Sequence, residues 1–148
     1  MSLLRPITPA DHAEVLALNE RHVELLGLAD RAAVIEHGGG FAGFVLTFRS
    51  GTAYDSVNYR WFTERYGDFY YLDRVVVHES YRRLGLGSQV YDELEAHGRQ
   101  LASVLALEVN LDPPNDASLA FHRGRGYTRV GEQEAGGHVV ELMVKRLR

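Results

Sequence analysis

The run Arg82-Arg83-Leu84-Gly85-Leu86-Gly87 joins a β-branched strand pattern ending in Val75-Val76-Val77 to a helical pattern that starts near Ser88. Two glycines at i and i+2 let a backbone pass close to a ligand. At a helix start the amide N–H groups point outward and carry the positive end of the helix dipole. Such a turn binds a diphosphate, and Arg82 and Arg83 add charge beside it. The bland alternative is a glycine-rich strand-to-helix turn without a ligand. Two other phosphate loops fail on residue type. A nucleoside-triphosphatase loop needs Gly-x-x-x-x-Gly-Lys-Ser/Thr, and no such run occurs. A dinucleotide fingerprint needs a third glycine where this chain has Val90.

The elements that must position this turn are legible in outline. Leu3 to Ile7 reads as an edge strand, since Pro6 removes a ladder donor. Thr8 and Pro9 open one or two helices that run to about Leu28. Ala32–Glu36 and Phe41–Phe48 read as an antiparallel hairpin around His37-Gly38-Gly39-Gly40. Ser50 to Asp68 carries Tyr54, Tyr59, Trp61, Phe62 and Tyr66 without a clean period, and reads as a long connection with one helical turn. Phe69–Val77 is the strongest strand pattern, and its β-branched end predicts a central position. Leu86, Val90, Leu94, His97 and Leu101 follow one helical face. Val104–Val109 is a further buried strand. A helix opens at Pro113–Asp116 and stops at about Arg123, before Gly124 and Gly126. Tyr127–Glu132 and His138–Arg146 close the chain as two strands.

The 148 residues predict one domain, 1–148, with a real core. A hydrophobic fraction of 45% and a charged fraction of 24% are ordinary for a soluble globular protein. There are no cysteines, which excludes disulfides, zinc–thiolate sites and thiol nucleophiles. No metal site is expected. The net charge of −4 argues against nucleic acid as a partner. No apolar run reaches the ~18 residues of a membrane span. The first residues lack the layout of a signal peptide, so the expectation is a cytoplasmic protein without a membrane partner.

At this point the chain resembles the GNAT superfamily of acyl-CoA-dependent N-acetyltransferases. The family's phosphate turn reads Arg/Gln-x-x-Gly-x-Gly/Ala, and Arg82-x-x-Gly85-x-Gly87 matches it. Val75-x-Val77 sits where the family's preceding strand reads Leu-x-Val. Downstream, Asn115, Ser118, Phe121, His122, Gly126 and Tyr127 fall at the spacing of a second family motif. His122 and Tyr127 depart from it in residue type. Asn58–Phe62, Tyr71–Arg74, Glu108–Asn110 and Pro113–Asn115 further resemble a bacterial branch of the superfamily.

The resemblance implies an α/β (α+β) fold of the GNAT type. Its central sheet is mixed and mostly antiparallel, with splayed parallel strands, and helices flank it. It implies acetyl-CoA as cosubstrate and direct transfer of the acetyl group to a primary amine. Arg82, Arg83, Leu84, Gly85, Leu86, Gly87 and Ser88 would hold the diphosphate. The backbone of Val75, Val76 and Val77 would hold the pantetheine arm, with an N–H at Val76 or Val77 polarising the thioester carbonyl. Asn110, Asn115 and Ser118 would contact the cosubstrate, although Asn115 also fits as the cap of the next helix. Asp73 is the first candidate base, acting directly or through a water, with a salt bridge to an arginine as its structural alternative. Glu108 is the second, with pairing to a basic neighbour as its alternative. His122 stands where many relatives have the tyrosine that protonates the leaving thiolate. It fits that role, or a structural bond to a backbone carbonyl. Arg123 and Arg125 read as solvated arginines, with the phosphates as the other reading.

The family's acceptor pocket maps onto Asn19, Glu20, Tyr54, Asn58, Tyr59 and Trp61. Aromatic and acidic groups suit an amine. The alternative is that the aromatics pack a sheet edge or an interface. The expected assembly is a monomer or homodimer. A second functional class stays open: a non-catalytic acyl-CoA-binding or sensing module on the same fold.

Overall fold

The computed structural model describes residues 3–14 and 27–148. Along them run β1 (Leu4–Pro6), β2 (Arg31–His37), β3 (Gly40–Arg49), α1 (Val57–Arg65), β4 (Tyr70–Val77), α2 (Leu86–Arg99), β5 (Val104–Asp112), α3 (Asp116–Gly124), β6 (Thr128–Ala135) and β7 (His138–Arg146). The strands form one sheet in the order β1-β2-β3-β4-β5-β7-β6. β4 and β5 run parallel, whereas β1–β2, β2–β3, β5–β7 and β6–β7 are antiparallel. This is the mixed, mostly antiparallel sheet with flanking helices that the sequence predicts. No helix among the described residues is long and apolar enough to cross a membrane. The chain divides into two compact units, Met1–Arg49 with Leu72–His97, and Ser50–Tyr71 with Gly98–Arg148.

In the first unit, β3 is buried without interruption from Ala42 to Phe48. A strand covered on both faces has no polar alternation to show. Ile35 pairs with Gly43 and Glu36 with Phe41, so Ala42 is the extra residue of a bulge. The carbonyl of Ala42 accepts a hydrogen bond from the His78 N–H at 2.6 Å. Gly43 lies against β4 so closely that a Cβ there would sit 1.9 Å from the Val76 carbonyl oxygen. These contacts fix the end of β4 that feeds the glycine turn.

Thr8 and Asp11 organise the first helical turn, Pro9–Asp11. The Thr8 N–H and hydroxyl both donate to Asp11 Oδ2, at 2.8 and 3.0 Å. Arg5 donates to both oxygens of the same carboxylate, at 2.9 Å each. The remainder of the expected helix up to residue 26 lies outside the described residues.

The second unit corrects one expectation. Residues 50–68 are not an irregular connection with one turn, because they contain the nine-residue helix α1. Ser56 caps it, accepting from the Tyr59 N–H at 3.2 Å. Tyr59 and Phe62 point into the core while Trp61 rests on Gly131 of β6. Two covered faces leave no single apolar stripe, which hides the helix from a periodicity reading. Two smaller corrections concern boundaries. α2 starts at Leu86, ahead of Ser88, and β5 continues to Asp112, beyond Val109.

Candidate active site

The glycine turn belongs to the first unit. Arg82, Arg83, Leu84 and Gly85 are exposed, and Leu86 and Val90 anchor the helix that follows. Arg83 has φ +67° and Gly85 φ +75°. Left-handed residues alternating with right-handed ones turn successive N–H groups toward one side, forming an anion-binding concavity. Arg83 holds this conformation although it is not glycine, a strain that clusters at ligand sites. A Cβ at Gly85 would meet nothing within 4 Å, so the backbone angle rather than space favours glycine there. The Gly85 carbonyl accepts from the Gln89 N–H at 3.4 Å and so starts α2. Gly87 and Ser88 lie in the first helical turn, which contains no acidic residue. A diphosphate fits this arrangement by charge and by donor geometry.

β4 delivers the candidates Asp73, Val75, Val76 and Val77, all partly buried. The Arg82 Nε donates to the Val77 carbonyl at 3.3 Å, so this side chain ties the turn back to the strand end.

The second unit holds the other carboxylate. Tyr70 pairs with Leu105 and Tyr71 with Ala106. The Tyr71 hydroxyl donates to Glu108 Oε1 at 2.6 Å. Glu108 is thus bonded to a phenol, a partner the sequence reading does not name. Next along the chain, Asn115 caps α3 by accepting from the Ser118 N–H at 3.1 Å. The Asn115 N–H donates to the Asn110 carbonyl, also at 3.1 Å.

His122 is buried in α3. Its Nδ1 lies 2.7 Å from the Ser118 carbonyl oxygen and 3.2 Å from the Ser118 hydroxyl. A carbonyl oxygen only accepts, so Nδ1 carries the proton of that bond and Nε2 is the acceptor of a neutral ring. Proton delivery from Nε2 therefore requires the imidazolium. The ring packs edge-on against Tyr127 and Phe121, with centroids 5.4 and 5.3 Å away.

The acceptor-side candidates do not share one environment. Asn19 and Glu20 lie outside the described residues. Tyr54 and Tyr59 are buried in an aromatic cluster, with centroids 5.4 Å apart. The Tyr59 hydroxyl accepts from the Thr52 N–H at 3.0 Å. Asn58 accepts from Gln133 Nε2 at 2.9 Å. Trp61 packs against Gly131, and the Arg65 guanidinium lies 4.0 Å from its ring centroid.

One strong interaction escapes sequence reasoning. Glu141, fully buried on β7, accepts from Arg123 Nη2 at 2.9 and 3.0 Å. Arg129 Nη1 stands 3.5 Å from the same carboxylate. Arg123 is therefore bonded across to β7 and holds the last turn of α3. The signal available in sequence was a single acid inside the apolar run Val139–Val144, a position that seldom goes unpaired.

Residues 3–127 match the model of the acetyltransferase (GNAT) family, and the chain belongs to that family. A search of the curated proteins found no match. Among solved structures, the chain is similar to a ribosomal-protein-alanine N-acetyltransferase from Brucella melitensis, with 22% identity and a TM-score of 0.70, covering 98% of this chain and 99% of that one. It is also similar to yncA, a putative acetyltransferase from Salmonella typhimurium solved with acetyl-CoA, at 18% identity, TM-score 0.69, and 98% and 93% coverage. A third is Arabidopsis thaliana Naa50 in complex with the bisubstrate analogue CoA-Ac-MVNAL, at 11% identity, TM-score 0.73, and 96% of both chains. At these identities the likeness concerns the fold.

Proposed function

We propose that the chain transfers an acetyl group from acetyl-CoA to a primary amine by direct attack. The observation that carries this reading is the exposed turn with Arg83 and Gly85 at positive φ, opening a helix whose first turn lacks acids. The family membership and the acetyl-CoA held by the similar yncA structure support it.

The thioester supplies an activated acetyl carbon, at which the C–N bond forms as the C–S bond breaks. Arg82, Arg83 and the N–H groups of Gly85 to Ser88 hold the diphosphate. A backbone N–H at Val76 or Val77 stabilises the oxyanion that develops on the carbonyl. Asp73 or Glu108 takes the proton of the acceptor ammonium, because only the neutral amine attacks. His122, as the imidazolium, donates from Nε2 to the leaving thiolate, and the acylated nitrogen loses its second proton to water. Asn110 and Ser118 line the cosubstrate.

One of the similar structures is a ribosomal-protein-alanine N-acetyltransferase, which makes a protein N-terminus the first acceptor to test. The test has two arms. Acetyl-CoA, NAD and ATP are compared for thermal stabilisation, and stabilisation by NAD or ATP alone overturns the reading. Amines and N-terminal peptides are then screened for release of free thiol. Binding of acetyl-CoA without thiol release from any amine would favour the non-catalytic acyl-CoA module instead.

A further inference from the structure

The parallel register sets Tyr71 beside Ala106, and Ala106 and Glu108 project from the same face of β5. The phenol therefore reaches forward along the neighbouring strand to meet the carboxylate. Its 2.6 Å bond to Glu108 Oε1 lies in the range of charge-assisted O–H···O⁻ bonds. The Tyr71 side chain is fully buried, whereas Glu108 is only partly so. Three rings hold the phenol: Tyr59 at 5.4 Å, Phe62 at 6.0 Å and Tyr54 at 6.4 Å between centroids. Phe62 and Phe69 show that this cluster accepts a plain phenyl ring. The hydroxyl at position 71 thus serves the carboxylate rather than the packing.

We infer that Tyr71 is a positioning residue, which orients the Glu108 carboxylate as the base that accepts the proton of the acceptor amine. The inference rests on the acetyltransfer reading above. Glu108 takes one proton from the acceptor ammonium. The freed lone pair forms the C–N bond, the C–S bond breaks, and its electron pair leaves on sulfur. The nitrogen then loses its second proton to water, the thiolate gains one from His122 or water, and Glu108 returns its proton to solvent.

The surroundings make a pH readout interpretable. β7 presents Val140, Leu142 and Val144 to the Glu108 face, none of them titratable. The ring cluster contributes the phenols of Tyr54, Tyr59 and Tyr71. β4 continues with Asp73 on the face of Tyr71. Removing a donor to the charged form raises the pKa of a carboxyl group.

The experiment measures kcat, KM and the pH profile of kcat/KM for the full chain and for Tyr71→Phe, Glu108→Gln and the double variant. Tyr71→Phe is expected to lower kcat roughly tenfold, a part of what a positioned base supplies. Its acidic limb should move up, with the acetyl-CoA thermal shift unchanged. Glu108→Gln should lower kcat about 100-fold or more and remove that limb. The double variant should be no slower than Glu108→Gln, since the phenol acts through the carboxylate. If Tyr71→Phe does not fold, site-specific 3-fluorotyrosine at position 71 gives a stronger donor and should move the limb down. A wild-type profile in Tyr71→Phe or in the fluorinated chain overturns this inference alone, as does a double variant whose losses multiply. A wild-type chain that releases no thiol with any amine overturns the acetyltransfer reading and this inference with it.

Discussion

His122 Nδ1 donates to the main-chain carbonyl of Ser118, one turn earlier in α3, at 2.7 Å. The bond fixes the ring and occupies Nδ1. His122→Phe preserves a buried ring and removes the proton donor. It is expected to lower kcat roughly 100-fold, the scale of a general acid, while KM for acetyl-CoA changes less than about threefold. Steady-state thiol release checks this. An unchanged kcat would confine His122 to packing α3.

Gly85 adopts φ +75°, where a β-branched side chain is strained. Gly85→Val should destabilise the fold by about 1–2 kcal/mol and raise KM for acetyl-CoA several-fold by deforming the N–H array. Urea denaturation and titration of acetyl-CoA separate the two effects. Unaltered KM with lowered stability would mean that the turn does not touch the diphosphate.

Trp61 is the single tryptophan, and a Cβ at Gly131 would lie 2.5 Å from its ring. The ring cannot retreat freely, because Phe62 packs edge-on against it with centroids 5.1 Å apart. Gly131→Ala should therefore cost about 1–3 kcal/mol, as overpacking does. Trp61 fluorescence reports the displaced ring directly. A wild-type emission spectrum and denaturation midpoint would contradict the prediction.

Asp11 is buried and held by Arg5, whose guanidinium keeps the carboxyl well below the ordinary carboxylate range. Because the folded-state pKa is depressed, the stabilisation is fully present above the unfolded value near ~3.9. It is lost as pH falls from there toward the folded value. Asp11→Asn should cost about 1–2 kcal/mol near neutrality, a charged hydrogen bond discounted for the partly exposed Arg5. The deficit relative to wild type should stay constant from pH ~7 to ~5 and shrink below ~4. Urea melts across that range measure it, and a deficit that grows on acidification would reverse the argument.

Glu141 is fully buried and accepts two hydrogen bonds from Arg123. Arg123→Ala leaves Arg129 as the nearby cation, 3.5 Å away. The expected loss is about 1–3 kcal/mol, the cost of a weakened bond to a buried charge. Hydrogen exchange should then rise in α3 before it rises in β7. Uniform exchange in both elements would show that Arg123 does not hold the helix.

The sequence alone was enough for the strands, the hairpins and the glycine turn. Those signals are local: β-branched runs, glycine pairs and a helix start are written in neighbouring residues. α1 was hidden because its aromatic residues serve two faces, and only the folded chain separates Tyr59 and Phe62 from Trp61. The site divides in the same way. Arg82, Gly85 and Gly87 are recognisable by spacing, as is the Asn115 cap. The partners of Glu108 and of Arg123 are not, because Tyr71 is 37 residues and Glu141 18 residues away in sequence. Strand register brings Tyr71 beside β5, and the packing of α3 on β5, the neighbour of β7 in the sheet, brings Arg123 to Glu141. A hydrogen bond acts over about 3 Å, and along the chain nothing marks which distant residue will arrive within that reach.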